Sequence, residues 1–340
     1  MSRAVWRVEP LDGADDPRFP HWYAQVAASM PYERPWLSVP SAAFLQARLR
    51  VQLFDRTTAL VALDDDGEVV GAGEATVNLQ GNTHFGWGDV QVAPDVRRRG
   101  IGTALVGAVE DVVRASGARF ALLASHYPFA ERETHGYRRF AEGLGYALDL
   151  DEIYRVLALP VDPDLLARLA DEAAEHHRGY RVVTWVYDVP ERYLASWIDV
   201  HNKLGSDAPS GVVQFEEDGM DATSWAEEVA QLRSVGRELR STVAISPDDE
   251  VVAYNDLVLQ DNGTGRVSQW GTLVRADHRG HRLGLAVKVA GLRSLAETHP
   301  DRTEVHTTNA EVNAQMIGIN EALGFRPVAV HPGFYREIRG

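Results

Sequence analysis

Hydrophobic and polar residues alternate along two neighbouring segments in the first half of the chain. The segments TALVALD and EVVGAGEATV flank the acidic turn DDDG, and alternation with a period of two is typical of a half-buried antiparallel hairpin. The segment HFGWGDVQV, which follows, predicts a further strand. The first half is therefore expected to contain an antiparallel sheet.

After this strand the apolar residues recur with the period of a helix. Gly117 is well placed to end that helix. Beyond it, RFALLAS predicts a buried strand, a second helix ends at LGY, and IYRVLAL predicts a last strand. The residues that form the apolar face of the first helix are Ile101, Ala104, Leu105, Ala108, Val109, Val112 and Val113.

The second half of the chain repeats the first. The segment VQVAPDVRRRGIGTAL matches TLVRADHRGHRLGLAV 182 residues later, EVVGAGEATV matches EVVAYNDLVL, and FAEGLGYALD matches INEALGFRPV. The second of these matches aligns Glu74 with Asp256. Because the matches keep their order and nearly keep their spacing, we interpret the chain as two copies of one domain.

The repeat predicts both the fold class and the domain boundaries. We expect an α+β (mixed α/β) protein with two tandem domains, each a mostly antiparallel sheet flanked by helices. The segment PDLLARLADEAAEHHRGY between the copies predicts a helix and a turn. The predicted divisions are an N-terminal domain over 1–160, a helical linker over 161–178 and a C-terminal domain over 179–340.

Composition narrows the classes of function. The formal charge of −15 argues against a nucleic-acid partner and is compatible with a cationic substrate. The chain has no cysteine, which excludes disulfides, thiolate zinc sites and a cysteine nucleophile. His176 and His177 are interpreted as solvated linker, so no metal is expected. No run approaches the roughly 18 apolar residues of a membrane span, and the N-terminus lacks a signal-peptide core, so we expect a cytoplasmic protein without a membrane partner.

A basic glycine turn separates the predicted strand from the predicted helix. The stretch DVRRRGIGTALVG places three arginines directly before two closely spaced glycines. A helix N-terminus offers unpaired N–H groups and about half a positive charge, glycines allow close approach, and arginines add charge-assisted hydrogen bonds. These features predict a phosphate site, with a solvated turn as the alternative. A dinucleotide fingerprint is disfavoured because Leu105 stands where its third glycine belongs.

The pattern R/Q-x-x-G-x-G/A, after a strand ending in V-x-V-x-P, resembles the coenzyme A pyrophosphate loop of the GNAT acetyltransferase superfamily, as do the late LGY and LGF segments. The duplication is similar to the tandem-domain type of mycothiol synthase and related actinobacterial proteins. The resemblance implies a central splayed strand in each domain, acetyl-CoA as cosubstrate and acetyl transfer to a small, cationic amine. The coenzyme-binding residues that it implies are Val90, Val92, Arg97, Arg98, Arg99, Gly100, Ile101, Gly102 and Thr103 in the first copy, and Leu273, Val274, Arg279, Gly280, His281, Arg282, Leu283, Gly284, Asn309 and Asn313 in the second.

The second copy departs from the loop pattern at one position. Arg282 stands where the first copy has Gly100, and so large a side chain would block the diphosphate. In the alternative, the loop shifts so that His281, Gly284 and Ala286 take over the pattern. The coenzyme site of the second copy therefore depends on which arrangement the loop adopts.

Two asparagines in the second copy are candidate contacts of the coenzyme arm. In the family, an asparagine placed like Asn313 commonly contacts pantetheine, and Asn309 lies in the same segment. Plain helix capping is the alternative for both residues.

The chemistry that the resemblance implies is direct attack of an amine on the acetyl thioester. A base deprotonates the ammonium, and amides of the splayed strands, within 90–92 and 272–274, polarise the carbonyl. The candidate bases are the strand carboxylates Asp256, Glu74 and Asp89, and an exposed carboxylate without a function is the alternative for each.

The tyrosine that often protonates the leaving thiolate in this family is missing from both copies. Its position holds Ala141 in the first copy and Asn320 in the second, and neither side chain can act as that acid. Tyr137, one turn earlier, is the predicted substitute, with a packed aromatic residue as the alternative.

An acidic loop in the second copy is the candidate acceptor site. The segment HNKLGSDAPSGVVQFEEDGMD places Asp207, Glu216 and Glu217 near the stretch that shapes the acceptor pocket in the family. A cationic amine suits these carboxylates, and an acidic solvated loop is the alternative.

Three functions fit these patterns. The leading one is N-acetylation of a small amine. The alternatives are a mycothiol synthase-like acetyltransferase and a non-catalytic acetyl-CoA-binding sensor or scaffold, and a monomer or homodimer is expected in each case. We expect one catalytic copy and one mainly structural copy, and the sequence leaves open which copy catalyses.

Overall fold

The predicted hairpin forms the middle of a seven-stranded sheet in the computed structural model, which describes residues 6–52, 55–260 and 264–338. The alternating residues point to the two faces of this sheet in turn, so each face meets its own layer of helices. The strand order is β1-β2-β3-β4-β5-β15-β7. These strands are β1 (Arg7–Pro10), β2 (Asp55–Leu63), β3 (Val69–Asn78), β4 (Phe85–Gln91), β5 (Phe120–Ala124), β7 (Ala147–Leu150) and β15 (Gly333–Glu337).

The predicted amphipathic helix is α3 (Ile101–Ala115), which packs against β3 and β4. Its apolar face is buried against the sheet, and each buried Val, Leu or Ile contributes about 1.5–3 kcal/mol. Gly71 lets the helix approach closely, because an added Cβ would lie 2.7 Å from Ile101 Cγ2. Gly117, with a φ of +86°, follows the end of the helix as predicted.

The opposite face of the first sheet is covered by two helices that the sequence patterns did not predict. These are α1 (Phe19–Ser29) and α2 (Ala42–Arg50), whose core side chains include Trp22 and Leu45. A fourth helix, α4 (Gly136–Gly143), lies before β7. One-turn 3-10 helices precede α3 and α4, at Pro94–Val96 and Phe129–Glu131.

The predicted splayed strand is present in the first sheet. Strand β4 pairs with β3 as far as Gln91, whereas its parallel pairing with β5 runs from Phe85 to Gly88 and stops there. The two central strands therefore diverge from Asp89 onward, directly before the turn that leads into α3.

The second sheet has the same plan with one more strand at its edge, in the order β6-β14-β8-β13-β12-β11-β10-β9. Strand β12 pairs in parallel with β13 only from Arg266 to Ser268 and then diverges. A short strand, β6 (Tyr127–Pro128), pairs with Ala329 and Val330. The strands of the second sheet are β8 (Glu152–Ala158), β9 (Arg181–Val186), β10 (Arg237–Ile245), β11 (Val251–Gln260), β12 (Arg266–Val274), β13 (Glu304–Ala310) and β14 (Arg326–Val330).

Helices cover both faces of the second sheet as well. The predicted linker helix α5 packs beside α9, which is the counterpart of α3, while α6 packs on β11 and α8 on β10. A 3-10 turn at Ala276–His278 precedes α9. The helices are α5 (Pro163–Ala174), α6 (Glu191–Asn202), α7 (Leu204–Asp207), α8 (Ala222–Ser234), α9 (Leu283–Thr298) and α10 (Ala314–Leu323).

The chain divides into two compact units, which confirms the predicted pair of tandem domains. Unit 1 holds the chain up to Glu152, the short segment 211–214 and the chain from Ala329 onward, and unit 2 holds the rest. This division differs from the predicted boundaries at 160 and 179, because β8 joins the second sheet and β15 joins the first. Within the described ranges, no helix has both the length and the apolar character needed to cross a bilayer.

Candidate active site

The glycine turn of unit 1 leaves the N-terminus of α3 open. Arg98 and Gly100 both have left-handed backbone conformations, with φ of +65° and +93°, and none of the described side chains caps the helix. The N–H groups of the first turn have no partner within a helix, and alternating left-handed residues turn such groups toward one point. Gly100 is required for its backbone angle, since the nearest atom to an added Cβ is 3.7 Å away. The turn is thus shaped to hold an anion.

The three arginines of this turn have different surroundings. Arg97 is directed inward, where its Nε donates to the Val92 carbonyl at 2.8 Å and its Nη1 to the Tyr137 hydroxyl at 3.3 Å. Arg98 and Arg99 are exposed. Arg97 therefore holds the turn against the end of β4, and the two exposed arginines remain accessible to an anion in solution.

The other coenzyme residues predicted in unit 1 contribute mainly backbone. Ile101 is a core residue, 1% exposed, and Val90 and Val92 pack against the same core. Gly102 gives space to α4, because an added Cβ would lie 3.1 Å from Phe140 Cζ. Thr103 is exposed on the first turn of α3.

The predicted bases Glu74 and Asp89 lie side by side in unit 1. They are directly opposite each other in the β3–β4 register, so both side chains project from the sheet face covered by α1 and α2. Arg48 Nη2 donates to Glu74 Oε1 at 2.8 Å, and Gln91 Nε2 donates to Asp89 Oδ1 at 2.6 Å. A cavity of about 100 Å³ opens here, lined among others by Trp22, Leu45, Arg48, Glu74, Asp89 and Gln91.

The protein around this cavity changes the acidity of both carboxyl groups. Burial raises the pKa of Glu74, which the guanidinium of Arg48 opposes and the negative charge of Asp89 reinforces. Asp89 keeps contact with solvent, yet the dense protein around it raises its pKa as well, against the hydrogen bond from Gln91. A carboxylate with a raised pKa is a stronger proton acceptor near neutral pH.

Tyr137 stands at the start of α4, on the other side of the splay. Its hydroxyl accepts the bond from Arg97, and the guanidinium of Arg34 lies 5.1 Å from the centre of its ring. Ala141 is buried one turn later. The phenol of Tyr137 is thus hydrogen-bonded as well as packed.

The glycine turn of unit 2 keeps the backbone of its counterpart. Gly280 and Arg282 are left-handed, with φ of +87° and +52°, and α9 begins at Leu283 as α3 begins at Ile101. The loop is therefore not shifted. The Arg282 side chain forms an ion pair with Glu172 on α5, so the residue that replaces Gly100 is held by a carboxylate.

The remaining coenzyme residues predicted in unit 2 also follow unit 1. Arg279 Nε donates to the Val274 carbonyl at 3.3 Å, and His281 is bonded through Nδ1 to the His176 carbonyl at 3.1 Å. Gly284 lies close to α10, with Ile319 Cδ1 3.3 Å from an added Cβ. Leu273 and Leu283 are buried.

The three predicted acceptor carboxylates of unit 2 are not grouped around Asp256. Asp207 forms an ion pair with Arg279, with 2.9 Å between Oδ2 and Nη2, which joins a predicted acceptor residue to a predicted coenzyme residue. Glu216 and Glu217 are exposed between α7 and α8.

The two asparagines predicted to contact the coenzyme arm have different roles within unit 2. Asn313 caps α10, since its Oδ1 accepts from the Met316 amide at 3.2 Å. Asn309 Oδ1 instead accepts from Asn320 Nδ2 at 2.5 Å. Capping thus accounts for Asn313 alone.

Sequence reasoning missed Lys288, which is 1% exposed in the core of unit 2. Its Nζ donates to Asn320 Oδ1 at 2.9 Å, so that Lys288, Asn320 and Asn309 form one hydrogen-bonded chain. Burial lowers the pKa of Lys288 to about 7. One signal in the sequence could have found it, because Lys288 lies on the apolar face of α9 at the position that corresponds to Val106 in α3.

Sequence reasoning also missed His201 on α6. Its Nε2 lies 3.6 Å from Oδ2 of the predicted base Asp256, which is only 2% exposed, whereas the His201 side chain is 25% exposed. No pattern in the sequence joins the two residues, because they are 55 positions apart and meet only when α6 packs on β11.

Comparisons with known proteins agree with this geometry. Residues 22–141 match the family model for the acetyltransferase (GNAT) family, whose members use acetyl-CoA as cosubstrate. No protein of curated function matched the sequence.

Solved structures resemble the chain over almost its whole length. A tandem GNAT protein from the clavulanic acid biosynthesis pathway, solved without acetyl-CoA, is 23% identical with a TM-score of 0.75, and the match covers 98% of each chain. A GCN5-related N-acetyltransferase from Sphaerobacter thermophilus is 16% identical with a TM-score of 0.66 over 100% of this chain and 97% of the other. A putative acetyltransferase from Pyrococcus horikoshii is 12% identical with a TM-score of 0.55 over 100% and 92%. At these identities the likeness shows the fold alone, that of a tandem GNAT protein, and the family match lies within unit 1 at residues 22–141.

Proposed function

We propose that this protein is an N-acetyltransferase that moves an acetyl group from acetyl-CoA to a small, cationic amine, and that unit 1 binds both reactants. One observation carries the proposal. The open N-terminus of α3 and the cavity that contains Glu74 and Asp89 stand at the same end of one splayed strand, β4. The two features lie on either side of the splay. The anion site suits the phosphates of a coenzyme A thioester, and the carboxylate-lined cavity suits an amine.

The coenzyme would bind with its diphosphate at the first turn of α3. The free amides after Gly100 and the exposed side chains of Arg98 and Arg99 supply the donors. The thioester would lie beside the part of β4 that has left β5, where backbone amides polarise its carbonyl. Bound acetyl-CoA supplies the activated acyl group.

Asp89 would act as the base toward the amine. Its carboxylate is accessible, its pKa is raised, and it is the first residue beyond the β4–β5 pairing. It takes a proton from the ammonium, the amine nitrogen bonds to the carbonyl carbon, and the C–S bond breaks while the nitrogen releases its second proton to solvent. The sulfur then takes a proton from the Tyr137 hydroxyl, which solvent reprotonates.

Two carboxylates in one cavity favour a positively charged acceptor. Glu74 is paired with Arg48, whereas Asp89 forms no such ion pair and is influenced at longer range by Arg34, Arg48 and His331. An ammonium placed against Asp89 both gains this attraction and lies where its proton is removed.

The first test is calorimetric titration of the chain with acetyl-CoA, comparing wild type with Gly100→Glu. The carboxylate should repel the diphosphate and weaken binding to unit 1 by about 100-fold or more. Gly100→Ala controls for strain at the left-handed residue. Gly107→Glu is the charge control, because Gly107 is exposed on the same helix with no atom within 4 Å of an added Cβ.

The second test is release of free coenzyme A thiol in the presence of a panel of primary amines. Turnover that persists in Arg282→Glu, which blocks the coenzyme loop of unit 2, and is lost when Asp89→Asn is added supports the proposal. Binding of acetyl-CoA without turnover on any amine would replace it with the sensor alternative, and unchanged binding in Gly100→Glu would remove the proposed coenzyme site.

A further inference from the structure

Unit 2 contains a tightly packed aromatic cluster around His201. The imidazole lies 4.7 Å from the ring of Trp197 and 5.1 Å from that of Tyr254, centre to centre, and Trp225 closes the group from α8. Trp197 and Tyr254 are fully buried, whereas His201 keeps a quarter of its side-chain surface exposed. His201 is thus the part of the cluster that solvent reaches.

Three buried polar atoms in this cluster have no hydrogen-bond partner among the described residues. They are Asp256 Oδ1, the Tyr254 hydroxyl and Trp197 Nε1. Buried polar atoms in native proteins are nearly always paired, so three orphans around one imidazole call for a physical reason. A ligand whose polar groups bind beside His201 would give these three atoms hydrogen-bond partners.

The cluster lies against an irregularity in the splayed strand β12. Two residues, Trp270 and Gly271, stand opposite Asp256 alone, which makes a β-bulge. Gly271 has no side chain, and this admits the Tyr254 hydroxyl, which would lie 2.8 Å from an added Cβ. In unit 1 the corresponding carboxylate, Glu74, faces one residue in regular register.

We propose that unit 2 is a second acyl-transfer centre, in which His201 is the base and Asp256 is the residue that positions it. This inference rests on the proposed function, because the acyl donor is the same acetyl-CoA. A carboxylate beside one imidazole nitrogen orients the ring and stabilises its protonated form, which leaves the other nitrogen to accept a proton.

The acceptor's ammonium gives a proton to His201, and its nitrogen forms a bond to the thioester carbonyl carbon. The C–S bond breaks with its electron pair on sulfur, the nitrogen releases its second proton to solvent to leave the neutral amide, and solvent protonates the coenzyme thiolate. His201 then returns its proton to solvent. The coenzyme's diphosphate would lie at the start of α9, where Arg282 keeps the left-handed backbone.

The charges that face His201 favour a cationic acceptor. Asp256 and Tyr254 face it from β11, Trp225 faces it from α8, and Asp218 lies close enough to act on Tyr254. Burial first, and then the negative charges of Asp256 and Asp218, raise the pKa of Tyr254 well above its usual range, so it stays a neutral phenol. Directly after α6, Lys203 is paired with Asp199 of that helix. Two carboxylates and several aromatic rings form a suitable setting for an ammonium.

The experiment isolates unit 2 by using Gly100→Glu to block the coenzyme loop of unit 1. Acetyl transfer from acetyl-CoA to putrescine, phenethylamine and lysine amide is measured across pH in this background, with and without His201→Phe. The expected result is that transfer persists in Gly100→Glu and falls by about 100-fold or more when His201→Phe is added, mainly in kcat. Acetyl-CoA affinity should change by less than about threefold.

Asp256→Asn tests the positioning role through the split between kcat and KM. Loss of the carboxylate that orients the imidazole should reduce kcat by about tenfold and leave the KM for the amine nearly unchanged. His299→Phe is the matched control, because His299 has a similar exposure and lies 3.8 Å from Glu238, in unit 2 but outside the cluster. It should leave both kcat and KM unchanged.

Several results would overturn the inference. Transfer abolished by Gly100→Glu alone would place all catalysis in unit 1, and transfer that ignores His201→Phe would remove its role. If His201→Phe unfolds, His201→Gln replaces it, and transfer at the wild-type rate in that variant would contradict the role of His201. Failure of the proposed function looks different, because the wild-type chain would then acetylate none of the three amines.

Discussion

Glu74 and Asp256 occupy the same place in the two halves of the repeat, yet their surroundings differ in kind. Glu74 is bonded to Arg48 at the edge of a cavity and has the accessible Asp89 directly across the strand. Asp256 is buried, faces a bulge and lies beside His201. One backbone plan thus offers a carboxylate that meets an acceptor directly and a carboxylate that acts through an imidazole.

The two coenzyme loops show the opposite relation. Their side chains differ, with Gly100 in one and Arg282 in the other, but both turns place left-handed residues at the same two positions. A left-handed N-cap with a free first turn is a property of the backbone, and it survives a change of residue when a partner such as Glu172 holds the larger side chain. The repeat therefore preserves the geometry of the anion-binding turn more closely than it preserves the residues that would transfer protons.

The largest expected effect comes from charge reversal at the two loop positions. If both loops bind, the wild-type chain takes up one acetyl-CoA per unit, Gly100→Glu and Arg282→Glu each lose one site, and the double variant binds none. Each lost site should weaken by about 100-fold or more, because a carboxylate at a helix N-terminus repels the diphosphate. The number of acetyl-CoA sites per chain, measured by calorimetry, tests this prediction. One site per wild-type chain would show that only one of the two units binds the coenzyme.

The next effect separates the two carboxylates of unit 1. In an Arg282→Glu background, which blocks the coenzyme loop of unit 2, Asp89→Asn should lower kcat by about 10²- to 10⁴-fold, whereas Glu74→Gln should cost less, since Glu74 is already engaged by Arg48. A base must be unprotonated, so wild-type kcat/KM should fall as the pH drops through the raised pKa of Asp89. The acid limb should disappear in Asp89→Asn. Equal losses in both variants would show that the pair acts as one unit.

A smaller effect concerns the stability of unit 2 against pH. Lys288 has a folded-state pKa of about 7 against an ordinary value of 10.5, so between these values the unfolded chain binds more protons. Stability should therefore rise with pH across that window, by up to about 1.4 kcal/mol per pH unit, and this group should add no slope below pH 7. Lys288→Met should remove the rise in urea unfolding measured at pH 7 and pH 9.5. An identical rise in the variant would show that Lys288 is not the source.

Much of the fold could be predicted because its signals are local. The period of the apolar residues places α3, and the need for a left-handed residue places Gly100. The repeat extends both inferences to unit 2. Strands β8 and β15 could not be assigned to their sheets in this way, because each sheet selects its strand by pairing with residues far away in the sequence.

The candidate site was predictable only where a motif carries the chemistry. The loop residues and the aligned carboxylates follow from short patterns. His201 beside Asp256, and Lys288 beside Asn320, depend on how α6 and α10 pack, and no spacing in the sequence reports that. The ion pair between Asp207 and Arg279 could not be predicted for the same reason, since the two residues are 72 positions apart in the sequence.

The smallest expected effect tests how Arg282 is held. Its ion pair with Glu172 is largely exposed, and such pairs contribute about 0.2–1 kcal/mol, so Glu172→Gln should hardly change the stability of the chain. It should, however, release the guanidinium for the coenzyme and tighten acetyl-CoA binding to unit 2 by about twofold to fivefold, more at low salt than at high salt. Unit 1 lacks such a pair at Gly100 and should be unaffected. Titration in the Gly100→Glu background measures unit 2 alone. Weaker binding there would mean that Glu172 holds Arg282 in the left-handed conformation that the loop needs.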